Sequence, residues 1–348
     1  MAITNHKITL LLGAGFAIHM KCPGTDDINQ LFAEDVTYVN NYEGKSVSMF
    51  NYVKTLLSDY FFDFSFETFL AVLEQILDYQ IGIEYSGKVS IQDRILSSVL
   101  FVPRDILRES LLLSKSAKEL WGIYKHYVNT IIDAIARKDS IEDCQEDARI
   151  IKEYIVSLKE KYDQIKIYST NYDSLCSQIL SDEGLYISTD DSFPDSIERA
   201  FVYDLNEFRE RPLTYFPLHG SIYFKRESFN CIKYCSYKQP LSDIAFDNNA
   251  GNPNGYTFFS PIISGYNKLQ HINGKPFIMG AQEFANDLQD SDIVLTLGYS
   301  FRDPHINSYI GTFSKGIIQS VTKDPVIWEP LDWTMEKITM DISSFLGH

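Results

Sequence analysis

Cysteine is scarce in this chain and does not pair by spacing. Five residues, Cys22, Cys144, Cys176, Cys231 and Cys235, are spread over 348 positions. An odd, scattered set argues against a disulfide framework and fits a reducing compartment. The one close pair, Cys231 and Cys235, lacks the second cysteine pair that a four-ligand zinc ribbon requires. Positive charge is also short: 31 Lys and Arg stand against 47 Asp and Glu, a formal net charge of −16. That balance favours solubility and works against nonspecific attraction to nucleic-acid phosphates. Every apolar stretch is interrupted by charge or amide before the roughly 20 residues that a bilayer span needs. The N-terminal run has no small-residue cleavage site of a signal peptide. The expectation is a cytoplasmic protein with no membrane attachment. No solenoid-period repeat or low-complexity tract is visible.

What is present is a globular composition, 45% hydrophobic, with length enough for a substantial core. Lys7 to Leu12 reads as a buried strand, and Gly13-Ala14-Gly15 turns into a helix expected to end at Pro23-Gly24. From about residue 26 to 161 the periodicity is helical. Phe66, Phe69, Leu70, Leu73 and Leu77 form one stripe; Leu120, Ile123, Tyr124, Tyr127, Ile131 and Ile135 a second; Ile150, Ile151, Tyr154, Ile155 and Leu158 a third. Strand character returns at 165–169, 215–218 and 293–297, with a turn-rich loop expected over 238–255. The fold class expected is α/β: a Rossmann-like parallel sheet with an inserted, mostly helical module. The chain then reads as one domain over 1–348, with the insertion at 26–161, the rest of the nucleotide-binding core at 162–312 and a C-terminal segment at 313–348.

Four short motifs follow strand-like runs in fixed order: Leu12-Gly13-Ala14-Gly15-Phe16-Ala17, Ser169-Thr170-Asn171-Tyr172-Asp173, Leu218-His219-Gly220-Ser221 and Leu297-Gly298-Tyr299-Ser300-Phe301-Arg302-Asp303. A parallel sheet delivers all four to one carboxyl-end crevice, where open α/β folds bind dinucleotides. Gly13 and Gly15 suit a turn in which backbone amides approach a pyrophosphate at a helix N-terminus. The third glycine of the full fingerprint is missing, so plain packing stays open as the alternative. Thr170, Asn171 and Asp173 put short polar side chains at a strand end, suited to a ribose. The alternative is an Asx turn in which Asn171 or Asp173 caps the next helix. His219, between Leu218 and Gly220, is the best acid/base candidate, against a buried histidine satisfied by carbonyls. The other six histidines, His6, His19, His126, His271, His305 and His348, show no metal-ligand spacing, and His305 reads as structural.

As an ordered set these residues resemble the sirtuin family, over roughly Lys7 to Ile310. The resemblance implies a Rossmann-like NAD-binding domain with a smaller inserted module. Gly13-Ala14-Gly15, continuing into Phe16 and Ala17, looks like the family's phosphate turn. Thr170-Asn171-Tyr172-Asp173 resembles its nicotinamide-ribose motif, His219 its catalytic histidine, and Gly298-Tyr299-Ser300 its late phosphate and ribose loop. The four-cysteine zinc module and the Gly-Ile-Pro-x-Phe-Arg stretch of the protein deacylases are missing. The helical insertion, the Phe66-Glu67 helix start and the Gly298-to-Asp303 ending resemble instead the bacterial sirtuin-like effectors of antiphage defence.

That resemblance implies an NAD glycohydrolase, with NAD as substrate and no metal, cleaving NAD to nicotinamide and ADP-ribose. Asn171 would position the ribose and the water, and His219 would act through the ribose hydroxyls or as general base. The chain ends at His348 with no obvious sensor segment, so control is expected from a partner or from assembly. The resemblance points to a HerA-type motor ATPase in a large complex, with a homo-oligomer of this chain and nucleic acid met only through the partner. Competing readings are a noncatalytic NAD or ADP-ribose sensor, an NAD-dependent protein deacylase, and a nuclease subunit of a motor complex. The last is disfavoured by the lack of a clustered Asp/Glu/His metal set in the sequence.

Overall fold

Strands covered on both faces are mostly apolar, and four runs of this chain have that character. They are β1 (Lys7–Leu12), β4 (Gln164–Ser169), β6 (Leu213–Pro217) and β9 (Ile293–Leu297), nearly every residue of which is buried. In a computed structural model, residues 6–42, 45–59, 64–86, 111–187, 205–228, 231–234, 262–263, 277–323, 335–340 and 342–346 are described. Within them the four runs join β5 (Tyr186–Ile187), β10 (Ile317–Thr322) and β11 (Met335–Thr339) in one seven-stranded sheet, ordered β11-β10-β9-β1-β4-β6-β5. Every pairing in it is parallel.

The chain passes from β1 to β4 on one side and later fills the other side with β9. The strand order therefore reverses at β1, and the crevice this creates lies beyond the carboxyl ends of β9, β1, β4 and β6. This is the α/β, Rossmann-like sheet expected from the sequence. The C-terminal segment, to which the sequence reading assigns no element, supplies β10 and β11 and extends the sheet at one edge.

The helical region has its own core. Helices α2 (Thr25–Ala33), α3 (Met49–Leu56), α4 (Phe66–Ser86) and α5 (Ala117–Ala136) bury Phe32, Phe50, Phe69, Leu73, Tyr124 and Tyr127 against one another. Phe32 meets Phe69 and Tyr127 edge to face, at centroid separations of 5.8 and 4.6 Å. Ser116 starts α5 with a reciprocal capping box: its hydroxyl accepts from the Glu119 amide, and Glu119 accepts from the Ser116 amide. A hairpin of β2 (Val39–Tyr42) and β3 (Lys45–Ser48) interrupts this otherwise helical stretch. A second hairpin, β7 (Phe224–Ser228) with β8 (Cys231–Tyr234), follows β6 and takes in Cys231.

The 26–161 span divides between two layers. Its first two stripes belong to the separate core, whereas α6 (Gln145–Leu158) buries Ile151, Ile155 and Leu158 in the cluster that holds Ile8, Leu10 and Ile167 of the sheet. Leu175 and Ile179 of α7 (Leu175–Ile179) join the same cluster. Periodicity reveals that a helix has an apolar face, but not which layer covers it. The first helix, α1 (Ala14–His19), ends four residues before Pro23. Lys21 just beyond it has a left-handed backbone, φ 64°, which breaks the helix before the proline is reached. The expected loop over 238–255 and Cys235 lie outside the described residues. Among the described residues no helix is long and apolar enough to cross a membrane.

The amino-terminal end of the sheet is tied by a buried lysine. Lys166 Nζ donates to the carbonyls of Phe208, Arg209 and Arg211, at 2.7, 3.2 and 3.0 Å. It thereby satisfies the C-terminal carbonyls of α8 (Leu205–Glu210). Burial pulls its pKa down to about 8. Nearby, α9 (Phe277–Asp290) sets Phe284 and Leu288 against Leu11 and Tyr168 of the sheet. Charge at this end is a matter of structure, since it lies opposite the crevice.

Candidate functional site

All four motifs arrive at the carboxyl ends of adjacent strands, and backbone hydrogen bonds lock them together. Gly13 N donates to Leu297 O (3.0 Å) and Gly15 N to Gly298 O (2.8 Å), joining the turn after β1 to the loop after β9. A Cβ on Gly13 would lie 2.4 Å from Tyr299 Cα, and one on Gly298 would lie 2.3 Å from Phe16 N. Gly298 is also left-handed, φ 65°. These glycines are required by the close approach of two loops. The amides of Gly13, Gly15 and Phe16 are engaged within the protein, the last donating to Gly13 O at 2.9 Å. Of the two readings of the glycine turn, packing therefore describes the state seen here.

The second motif is tied to the first. Thr170 N donates to Leu12 O (2.9 Å), and Asn171 Nδ2 donates to Gly13 O (2.9 Å). The Asn171 amide N–H in turn donates to Ser169 Oγ (3.0 Å). Asp173 is buried, and its Oδ1 accepts from Leu175 N (3.0 Å) at the start of α7. This is the Asx turn that the sequence allows for it, while the N-cap position itself falls to Ser174. Burial, reinforced by the Asp139 carboxylate, pushes the Asp173 carboxyl up to about 7. Asp139 is itself bonded by Ser174, through N at 3.0 Å and Oγ at 2.8 Å.

The third motif is stitched to the second. Leu218 N donates to Ser169 O (2.7 Å), Ile222 N to Tyr172 O (3.0 Å), and Ser221 Oγ to the same carbonyl (3.2 Å). Gly220 turns with φ 86°. His219 between them is 1% exposed, its carbonyl accepting from Ile263 N (2.6 Å). Asn171 and His219 thus follow neighbouring strand ends.

The fourth motif brings a residue that the sequence reading did not place here. His305 Nε2 lies 2.9 Å from His219 Nε2, with both rings buried. Asp303 Oδ1 is 4.0 Å from His305 Nδ1. One potential ligand atom from each of His219, Asp303 and His305 falls within 4.8 Å of the other two. A clustered His/Asp set therefore exists, which spacing along the sequence did not reveal. A separation of 86 positions between the two histidines hides it from any local motif. The one signal available was that His305 follows a strand-end motif.

The loop between β9 and α10 (Pro304–Phe313) holds this geometry under strain. Phe301 is buried with a left-handed backbone, φ 58°, costly for a residue with a side chain. Asn307 in α10 pins it, donating from Nδ2 to Phe301 O (2.7 Å) and accepting from Tyr299 OH at Oδ1 (3.0 Å).

Of the other positions expected to contact a ligand, Phe16, Ala17 and Tyr299 point into hydrophobic cores. Ala14 and Ser300 are exposed, and Gly15, Thr170 and Gly298 are half-buried, so these five form the lip. A wide depression lined by Asp290, Asp292, Lys315 and Glu336 lies at the amino ends of β9 and β10, away from all of these groups. It brings no histidine, and the strand-end cluster is the better candidate on chemistry.

A model of the SIR2-like domain matches residues 165–324, a stretch that carries the second, third and fourth motifs. No curated protein shows significant sequence similarity to the chain. Among solved structures, the chain is similar to a mutant Sir2 homologue in complex with ADP-ribose, at 10% identity and TM-score 0.42, covering 98% of this chain and 89% of that one. It is similar to a Sir2 homologue–NAD complex at 10% identity and TM-score 0.41, covering 98% and 86%. A Sir2–p53 peptide–NAD+ structure matches at 12% identity and TM-score 0.36, covering 99% and 91%.

Proposed function

We propose that this chain is an NAD glycohydrolase, the effector subunit of an antiphage complex that acts by depleting NAD. The observation that carries the reading is the pairing of buried Asn171 and His219 on the adjacent ends of β4 and β6, beside the Gly13 turn. The SIR2-like match over 165–324 supports it. Substrate NAD would lie across the switch point, with the nicotinamide ribose toward Asn171 and His219.

In the reaction the bond between ribose C1′ and the nicotinamide nitrogen breaks, and nicotinamide leaves as a neutral molecule. Water then adds to C1′, and its proton is lost to give ADP-ribose. Asn171 orients the ribose and the incoming water. His219 receives a proton, either from that water or through a ribose hydroxyl. Positive charge that builds on the ribose in an oxocarbenium-like transition state suits an uncharged amide and a neutral imidazole.

In this conformation Asn171 is 8% exposed, and the Gly13 and Gly15 amides donate to Leu297 O and Gly298 O at the end of β9. We infer that NAD enters when the β9–α10 loop shifts away from the Gly13 turn. Control then lies in the event that separates them, and we assign that event to assembly with a HerA-type ATPase and other copies of this chain in the cytoplasm. NAD consumption with and without the ATPase, together with the mass of each species by size exclusion and light scattering, tests the reading. A chain that stays monomeric under both conditions counts against the assembly.

A further inference from the structure

We propose that His219, His305 and Asp303 form a binding site for a divalent transition metal of the zinc class, and that the filled site stops His219 from acting. The nitrogens converge already. The two Nε2 atoms are 2.9 Å apart, the ring centroids 5.0 Å, and the rings are inclined by 36°. Tetrahedral zinc with metal–nitrogen bonds of about 2.0–2.1 Å separates its ligand atoms by about 3.3 Å. The two Nε2 atoms must part by about 0.4 Å, and the carboxylate must swing inward toward them. Two imidazoles and one carboxylate suit zinc and leave a fourth position open. Among the described residues this is the one group of three or more such side chains that converges.

The placement of Asp303 suits the entry of an ion. It stands at the N-cap of α10, and its side chain is 21% exposed where that of His305 is 6% exposed. The carboxylate therefore lies on the open side of the buried pair. The strained Phe301 turn and the Asn307 clasp hold Asp303 and His305 at this spot.

Metal binding replaces the direct contact between the two imidazoles. Both nitrogens then give their lone pairs to the ion, and any proton shared between them is released. A His219 nitrogen so engaged takes no proton from water or a ribose hydroxyl. Only this last consequence rests on the function proposed above; the metal site itself does not.

The test uses the whole, tag-free chain, titrated with cobalt(II) as a spectroscopic probe and then with zinc. One equivalent of cobalt should give the visible bands of a four- or five-coordinate nitrogen/oxygen site, and zinc should abolish them. His305→Ala should lose the bands, and Asp303→Asn should weaken cobalt binding about tenfold or more, with both variants shown to be folded by circular dichroism. Absence of cobalt bands in the wild type, or equal binding in both variants, overturns the site. In the activity arm, zinc should suppress NAD cleavage in proportion to occupancy, and a chelator should restore it. Full activity at full occupancy overturns the inhibitory role. A chain without NAD cleavage in any setting removes the proposed function, while the cobalt titration still decides the site.

Discussion

Asn171 Nδ2 donates to the Gly13 carbonyl at 2.9 Å, so the side chain assigned to the ribose also ties the end of β4 to the turn after β1. One bond thus serves both the fold and the chemistry. Asn171→Ala should lower NAD cleavage by about 10²-fold, the scale of losing one positioned transition-state donor. It should also cost about 1 kcal/mol, because the Gly13 carbonyl loses one of its two donors and keeps only the Phe16 amide. Asn171→Asp should lose activity as well, since a carboxylate cannot donate to Gly13 O. Steady-state product chromatography and urea denaturation read the two effects separately.

Gly298 and Gly184 both have positive φ, 65° and 71°, but only Gly298 is crowded. A Cβ there meets Phe16 N at 2.3 Å, whereas one on Gly184 meets nothing within 4 Å. Gly184→Ala should cost about 1 kcal/mol from backbone conformation alone. Gly298→Ala should cost clearly more, about 3 kcal/mol or above, because the two loops must also separate. Equal denaturation midpoints for the two variants would show that the loops are not locked as described.

Asp173 gives a pH dependence of a defined sign. Its carboxyl is raised from 3.8 to about 7 in the folded chain, so between these values the folded state holds a proton that the unfolded state has lost. Stability contributed by this group is therefore fully present below about pH 4, falls as pH rises toward 7, and is gone above it. Asp173→Asn keeps an oxygen for Leu175 N and cannot ionise. It should flatten the fall between about pH 4 and 7 and raise stability at about pH 8, by on the order of a few kcal/mol. Parallel denaturation-against-pH curves for wild type and variant would contradict this origin.

Lys166 has the opposite sign. Burial pulls its pKa down to about 8, so between 8 and the ordinary lysine value the unfolded state binds the extra proton, and stability should rise with pH across that window. Lys166→Met should remove the rise. It should also destabilise near neutral pH, because three carbonyls lose their donor.

The parts of this architecture visible in the sequence are those set by local pattern. The strands β1, β4, β6 and β9 show as apolar runs ending in a turn, and the stripes containing Phe69 and Tyr127 show at helical spacing. Placing Asn171 and His219 on neighbouring strand ends needed only the parallel-sheet rule. Three features were hidden because they depend on partners distant in the chain. Strand β10 carries Gln319 and Ser320 within its apolar run, and becomes a strand by pairing with β9. Helix α6 has an apolar face like its neighbours, and only packing shows that the face meets the sheet. His305 gains its meaning from a ring 86 residues earlier.

NAD consumption with product chromatography, for wild type and His219→Ala, each alone and with the candidate ATPase, decides whether the strand-end site cleaves NAD. Wild type should give equimolar nicotinamide and ADP-ribose in at least one setting, and the variant should fall by about 10²-fold or more. NAD bound but not cleaved in any setting, or cleavage that His219→Ala leaves at the wild-type rate, would contradict the proposed function.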